Sequence, residues 1–101
     1  MHDSLRFHPR VVEDLRRAIA WYDKISLDLG NRFRGALNAQ FDAIFTRPNG
    51  FTRAFDDVRF ARVKKFPYLI LFEFAGSDVL ILGVFHTASD PKKWRKRIPR
   101  P

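Results

Sequence analysis

The sequence predicts a single α+β domain over residues 1–101, with element order β-α-α-β-β-β. An antiparallel sheet is packed against a helical hairpin, and a short basic C-terminal helix or tail follows. Three observations carry this prediction. Two apolar runs, Tyr68–Phe74 and Val79–Phe85, are strand-length, rich in β-branched, aromatic and leucine residues, and too short for typical helices. Between them Ala75-Gly76-Ser77-Asp78 supplies turn chemistry, with glycine free to take positive φ and Asp78 able to bond nearby backbone. Upstream, two stretches with apolar residues at helical spacing are joined by a very short link, which makes them antiparallel neighbours. The unbroken hydrophobicity of the hairpin calls for a cover on both faces or nearly so.

Taken in order, Ser4–Phe7 alternates, with Leu5 and Phe7 on one face, and reads as a short strand. After His8-Pro9, a helix over Pro9–Lys24 sets Val11, Val12, Leu15, Ala18, Ile19 and Tyr22 in one stripe. Arg10, Glu13, Arg16, Arg17 and Asp23 fall mainly opposite, and Trp21 caps the edge of the stripe. A second helix starts at Ser26, a good N-cap, with Asp28 in its first turn and Gly30 weakening its start. Leu29, Phe33, Ala36, Leu37, Phe41, Ile44 and Phe45 form its apolar stripe, and Pro48 ends it by Arg47. Asn49-Gly50 is a turn and Phe51–Asp57 a loop or short extended segment. The strand Val58–Lys65 alternates Arg59, Ala61, Val63 and Lys65 against Val58, Phe60, Arg62 and Lys64. Finally Asp90-Pro91 reads as a helix start, with Pro99 as a stop. The pairing of the first strand is left open.

Composition bounds the function classes. A hydrophobic fraction of 46% with eleven phenylalanines indicates a folded core rather than a disordered chain. No cysteine is present, which excludes disulfides and thiolate metal sites and fits a reducing, cytoplasmic location. No run approaches membrane-spanning length, and MHDSLRFHP lacks a signal-peptide apolar core, so no membrane association is expected. The formal net charge is +8. Residues 1–50 carry eight Lys/Arg against six Asp/Glu, and residues 51–101 carry eleven against five, so the excess lies with the sheet and tail. Such a surface attracts polyanions, whether nucleic acid or an acidic protein.

Four groups of residues are candidates for function. Arg59, Arg62, Lys64 and Lys65 along a strand could bind phosphate or stabilise charge at a scissile phosphate, or could simply protect an exposed strand from edge pairing. His86 ends the last apolar run on the alternation face of Leu80, Leu82 and Val84, where it could transfer a proton or hold the next loop. Lys92, Lys93, Arg95, Lys96, Arg97 and Arg100 surround Trp94, a pattern that suits phosphate attraction with base stacking, although for Trp94 itself docking on the sheet, with its neighbours solvated, is the favoured reading. Tyr68 opens a strand and either anchors it or serves a site. His2 and His8 lack carboxylates at ligand spacing, so no metal site is expected. With no glycine-rich phosphate loop, no activated nucleophile and no paired carboxylates, no cofactor is expected either.

The segments FHPRVVEDLRRAIAWY, LGNRF…IFTRP, VR…FPYLILFEF and VLILGVFHTASDPKKW together resemble the RelE/ParE superfamily of bacterial type II toxins, often labelled plasmid-stabilisation proteins. The resemblance spans nearly the whole chain. It implies a toxin whose helical hairpin lies on an antiparallel sheet, held in a hetero-oligomer by a cognate antitoxin that is disordered when free. The target divides within the superfamily. ParE-like members inhibit DNA gyrase without nuclease chemistry, whereas RelE-like members cleave mRNA on the ribosome. The ending RKRIPRP lacks the terminal aromatic or histidine associated with cleavage, and VFH before a polar loop looks closer to ParE-like chains. The ParE-like expectation is therefore a basic binding surface of Arg59, Arg62, Lys64, Lys65, Lys92, Lys93, Trp94, Arg95 and Arg97. The RelE-like alternative makes Arg59, Arg62 and His86 catalytic. A relative without toxicity that keeps only antitoxin binding is a third possibility.

Overall fold

The computed structural model describes residues 4–98. The chain runs β1 (Leu5–Phe7), α1 (Val11–Ile25), α2 (Leu27–Thr46), a 3-10 turn (Pro48–Gly50), β2 (Arg53–Phe55), β3 (Val58–Arg62), β4 (Tyr68–Ala75), β5 (Asp78–His86) and α3 (Pro91–Arg95). His2, Pro99, Arg100 and the end of the basic tail lie outside the described residues. Among the described residues no helix is long and apolar enough to cross a membrane.

The sheet order is β1-β5-β4-β3-β2. Strands β2 to β5 form the predicted antiparallel meander, with β2 built from the segment read as loop or short extended chain. The first strand joins parallel to β5, Leu5 opposite Val79 and Phe7 opposite Ile81, so the sheet is mixed. Asp78 fixes this register. Its carboxylate accepts from Ser4 Oγ at 2.8 Å and lies 3.6 Å from Arg6, rather than bonding its own turn. That turn has two central residues, with Gly76 at φ +62, the conformation that glycine adopts without a Cβ clash.

A single residue joins the helices. The Ser26 N–H donates to Tyr22 at the end of α1, while Ser26 Oγ accepts from Leu29 N–H at 3.0 Å and caps α2. Gly30, a weak point by helix propensity, is a close-approach site where the Asp23 carboxylate occupies the space a Cβ would need. That carboxylate bonds Arg34 through two hydrogen bonds at 2.6 and 2.9 Å and so clamps α1 to α2. Arg34 holds the Asp23 carboxyl below the usual carboxylate range through these hydrogen bonds.

The hairpin covers one sheet face. Val11, Ala18, Tyr22, Phe33, Leu37 and Ile44 pack there against Ala61, Val63, Ile70, Phe72, Val79, Ile81 and Val84. On the opposite face Val58, Leu69, Leu71, Leu82 and Phe85 form a smaller core, flanked by Phe55, Phe60, Trp94 and Ile98. The C-terminal segment is thus the second cover that the doubly apolar hairpin requires. Burying an apolar side chain of this size is worth roughly 1.5–3 kcal/mol, which makes the docked segment a substantial part of the fold.

Two features depart from simple alternation. Strand β3 ends at Arg62, and Lys64 and Lys65 stand in the turn to β4, with Lys65 at φ +71. In β5, Leu71 faces Gly83 but Phe72 faces Ile81, so Leu82 is the extra residue of a bulge. A bulge moves every later side chain to the other face. Val84 therefore joins Ile81 under the helices, and Phe85 joins Leu82 on the far side. His86 follows Val84 and does not share the face of Leu80 and Leu82 that uninterrupted alternation assigns to it. Gly83 makes the bulge possible, because a Cβ there would meet the Phe85 ring and come within 2.9 Å of Arg97 Nη1.

Replacing Gly83 with alanine is expected to destabilise the protein by about 1–3 kcal/mol through overpacking. In contrast, Gly35 of α2 has open space around it, and Gly35→Ala is expected to stabilise by roughly 0.5–1 kcal/mol. Urea unfolding of the two variants checks both signs at once.

Candidate functional site

The strand cations do not converge. Arg59 lies on the helix-side face at the β2 end, where its Nη1 donates to the Phe51 carbonyl at 2.6 Å and its guanidinium sits 5.7 Å from the Phe74 ring centroid. Its Nε is buried without a hydrogen-bond partner. With Arg53, Asp57, Glu73 and Phe74 it lines a shallow cleft of about 300 Å³. Arg62 is exposed on the opposite face, and its carbonyl accepts from Gln40 Nε2. Lys64 and Lys65 are exposed on the turn. Arg59 and Arg62, three residues apart on one strand, thus point to opposite sides of the sheet.

The tail residues divide in another way. Asp90 caps α3, accepting from Lys92 N–H at 3.0 Å, with Pro91 at the first helical position. Trp94 donates through Nε1 to Ser89 Oγ at 2.9 Å and rests 6.1 Å from the Phe85 ring. It is docked, not presented. Arg95 stacks 4.3 Å from the Phe55 ring centroid and lies 3.9 Å from Asp56. Lys92 and Lys93 remain exposed.

Arg97 is engaged most deeply. It forms a two-pronged ion pair with Asp14 of α1, at 2.6 and 3.1 Å, with side-chain exposures of 11% and 9%. Arg97 also donates to the Leu82 carbonyl at 3.1 Å and lies 4.8 Å from the Phe85 ring centroid, while Asp14 accepts from Val84 N–H at 3.0 Å. The pair therefore serves the backbone groups of the bulge, on the stretch of β5 that runs beyond the end of β1.

Above this pair opens a cleft of about 410 Å³ between α1, the end of β5 and the C-terminal segment. Arg10, Arg17, Lys93 and Lys96 supply cations, with Tyr68 and His86 on one wall. The bulge turns His86 this way. Its ring meets Tyr68 edge-on at 5.2 Å, and its Nδ1 accepts from Ala88 N–H at 3.0 Å. Burial pushes the Tyr68 hydroxyl pKa up from its ordinary value. The Arg16 hydrogen bond, with help from Arg17, holds Glu13 below the usual carboxylate range. Of these residues the sequence pointed to Tyr68, His86, Lys93, Lys96 and Arg97. Arg10 and Arg17 were read only as the polar side of an amphipathic helix. Their spacing of seven places them on the same helix face as each other, but nothing local tells that this face lines a cleft.

His8 sits just outside this cleft. Its Nδ1 accepts from Arg10 N–H at 3.1 Å, and its pKa is lowered by burial, then by Arg97 and Arg10. A histidine with a depressed folded-state pKa takes up its proton more readily when unfolded. Stability should therefore fall as pH drops below about 6.5, the unfolded value, with the loss complete once pH is under the folded value. His8→Gln should flatten that slope in denaturant melts from pH 7.5 to 5. The Asp14–Arg97 pair has a sharper expectation. Asp14→Ala strands a buried guanidinium and should cost about 3–5 kcal/mol. The double variant Asp14→Leu/Arg97→Met should recover only part of it, since the Leu82 C=O and Val84 N–H still lose partners worth roughly 1–3 kcal/mol each. Urea titration of the single and double variants measures both.

Comparison with known proteins bears on the chain as a whole. Among solved structures, "Chromosomal ParDE TA system from P. aeruginosa" superposes with a TM-score of 0.71 at 18% identity, covering 82% of this chain and 94% of that chain. At that identity the likeness is one of fold. No curated protein matched. The family model described as "ParE toxin of type II toxin-antitoxin system, parDE" matches residues 5–91, which takes in the helical hairpin, all strands and the start of α3. On that match, the chain belongs to the ParE toxin family of type II toxin–antitoxin systems.

Proposed function

We propose that this chain arrests growth in the cytoplasm by binding and inhibiting DNA gyrase, without covalent chemistry of its own, and that a cognate antitoxin neutralises it in a hetero-oligomer. Family membership over residues 5–91 supports the toxin role. The observation that favours inhibition by binding over RNA cleavage is the scatter of the would-be catalytic set. Arg59 lies on the helix-side face and donates to the Phe51 carbonyl, Arg62 points out from the other face, and His86 lines a separate cleft. Cleavage by Arg59, Arg62 and His86 acting together needs all three around one reacting atom. The exposed cations Arg62, Lys64, Lys65, Lys92 and Lys93 are the part of the predicted surface that stays free to meet a macromolecule.

The antitoxin reading draws on exposed apolar surface. Phe7 and Phe45 are 48% and 41% exposed beside a groove lined by Leu5, Asn38, Phe41, Asp42 and Phe45, at the open edge of β1. Trp21, Ile25 and Leu27 are exposed around the joint of the hairpin. A segment that folds on binding gains its free energy from apolar surfaces and strand edges of this kind.

A paired assay on purified protein tests the proposal. One arm follows supercoiling by gyrase and the other follows mRNA integrity on translating ribosomes. The expected result is lost supercoiling with intact mRNA, restored by the antitoxin. Cut mRNA with normal supercoiling would overturn the gyrase reading, and absence of growth arrest on expression would remove toxicity altogether.

A further inference from the structure

We infer that the cleft between α1, the end of β5 and the C-terminal segment is a phosphate-binding site that takes the phosphate of a nucleotide unit, on residues distinct from the exposed cations proposed to meet gyrase save Lys93, which lines both.

The argument is one of donors and acceptors. The cleft is lined by five cations, Arg10, Arg17, Lys93, Lys96 and Arg97, and by two carboxylates, Glu13 and Asp14. Both carboxylates are already occupied. Asp14 is held by Arg97 and the Val84 N–H, and Glu13 by Arg16 and Arg17. Among the described residues Arg10, Lys93 and Lys96 have no carboxylate partner at ion-pair distance. They arrive from α1 on one side and the C-terminal segment on the other, held facing each other by the buried Asp14–Arg97 pair beneath.

The neutral groups point the same way. Tyr68 carries its hydroxyl proton at neutral pH, as a phenol does, and can donate it. At His86 the Ala88 N–H occupies Nδ1, so in the neutral ring the proton resides on Nε2, which donates. A cleft whose free groups are donors fits a ligand rich in acceptors. Three unpaired cations with two neutral donors exceed what one carboxylate can satisfy and match a phosphate better. At about 410 Å³ the space is within the range of small-ligand sites, larger than inorganic phosphate needs. The edge-on Tyr68 and His86 rings offer an aromatic wall for a base. The ligand is therefore a nucleotide unit, either free or within a single strand.

The test titrates the full chain at low salt with inorganic phosphate, adenosine monophosphate and a short single-stranded oligonucleotide, following backbone amide NMR shifts. Saturable binding is expected, with shifts concentrated at Arg10–Arg17 and His86–Lys96, and with inorganic phosphate displacing the nucleotide. Arg10→Glu/Lys96→Glu should weaken nucleotide binding at least tenfold. Arg10→Gln/Lys96→Gln, which perturbs charge less, should weaken it in the same direction. The charge-matched reversal Lys24→Glu/Arg32→Glu, on the far part of the hairpin, should change it less than twofold. Equal affinity for mononucleotide and strand identifies a free nucleotide as the ligand, and a tighter, more salt-dependent strand identifies nucleic acid. Equal loss from both charge reversals, shifts confined to Lys64–Lys65, or no saturation would overturn the site. The gyrase assay is scored separately, so either result can fail alone.

Discussion

The ion pair between Asp14 and Arg97 carries more of this structure than its size suggests. Strand β5 outruns its parallel neighbour, leaving edge groups at Leu82 and Val84 that no strand satisfies. Asp14 takes the Val84 N–H and Arg97 gives to the Leu82 carbonyl, so one pair of side chains stands where further strand would be. The same contact docks the C-terminal segment and sets the floor of the basic cleft. A buried ion pair is seldom a net source of stability against apolar replacements. Here its value is positional, because it answers two backbone groups that a pair of apolar side chains would leave bare.

Local patterns made most of the fold legible in the sequence. The β4–β5 hairpin followed from two apolar runs around Gly76, and the helical hairpin from two stripes meeting at Ser26. The α3 start was written in Asp90-Pro91. What stayed hidden depends on contacts between distant residues. The parallel partner of β1 is set by Asp78 reaching Ser4 and Arg6, more than seventy residues away in sequence for Ser4. Asp14 and Arg97 are 83 positions apart. The bulge at Leu82 hides for a different reason. A run that is apolar at nearly every position gives no alternation to break, so nothing in VLILGVFH except Gly83 marks where the faces exchange. That one inserted residue decides which side of the sheet His86 serves.

The basic surface likewise resolves into parts that the formal charge merges. Arg59 and Arg97 are used internally, on a carbonyl and a part-buried carboxylate, while the exposed Arg95 lies over an aromatic ring. Arg62, Lys64, Lys65 and Lys92 face solvent around the sheet and turn, while Arg10, Arg17 and Lys96 look into the cleft with Lys93. A net charge of +8 thus describes two separate electrostatic regions and a set of structural cations.

The parallel pairing of β1 with β5 also has a temporal meaning. Residues 5–7 are synthesised long before their partners at 79–81 and the Arg97 that completes the neighbouring edge. Distant pairings of this kind form late and slowly, and until they form the apolar faces of the helical hairpin lack their sheet. The nascent chain therefore carries its helical hairpin before the sheet surface beside it exists. The outer edge that β1 presents on the sheet likewise exists only after residues 79–81 have been made.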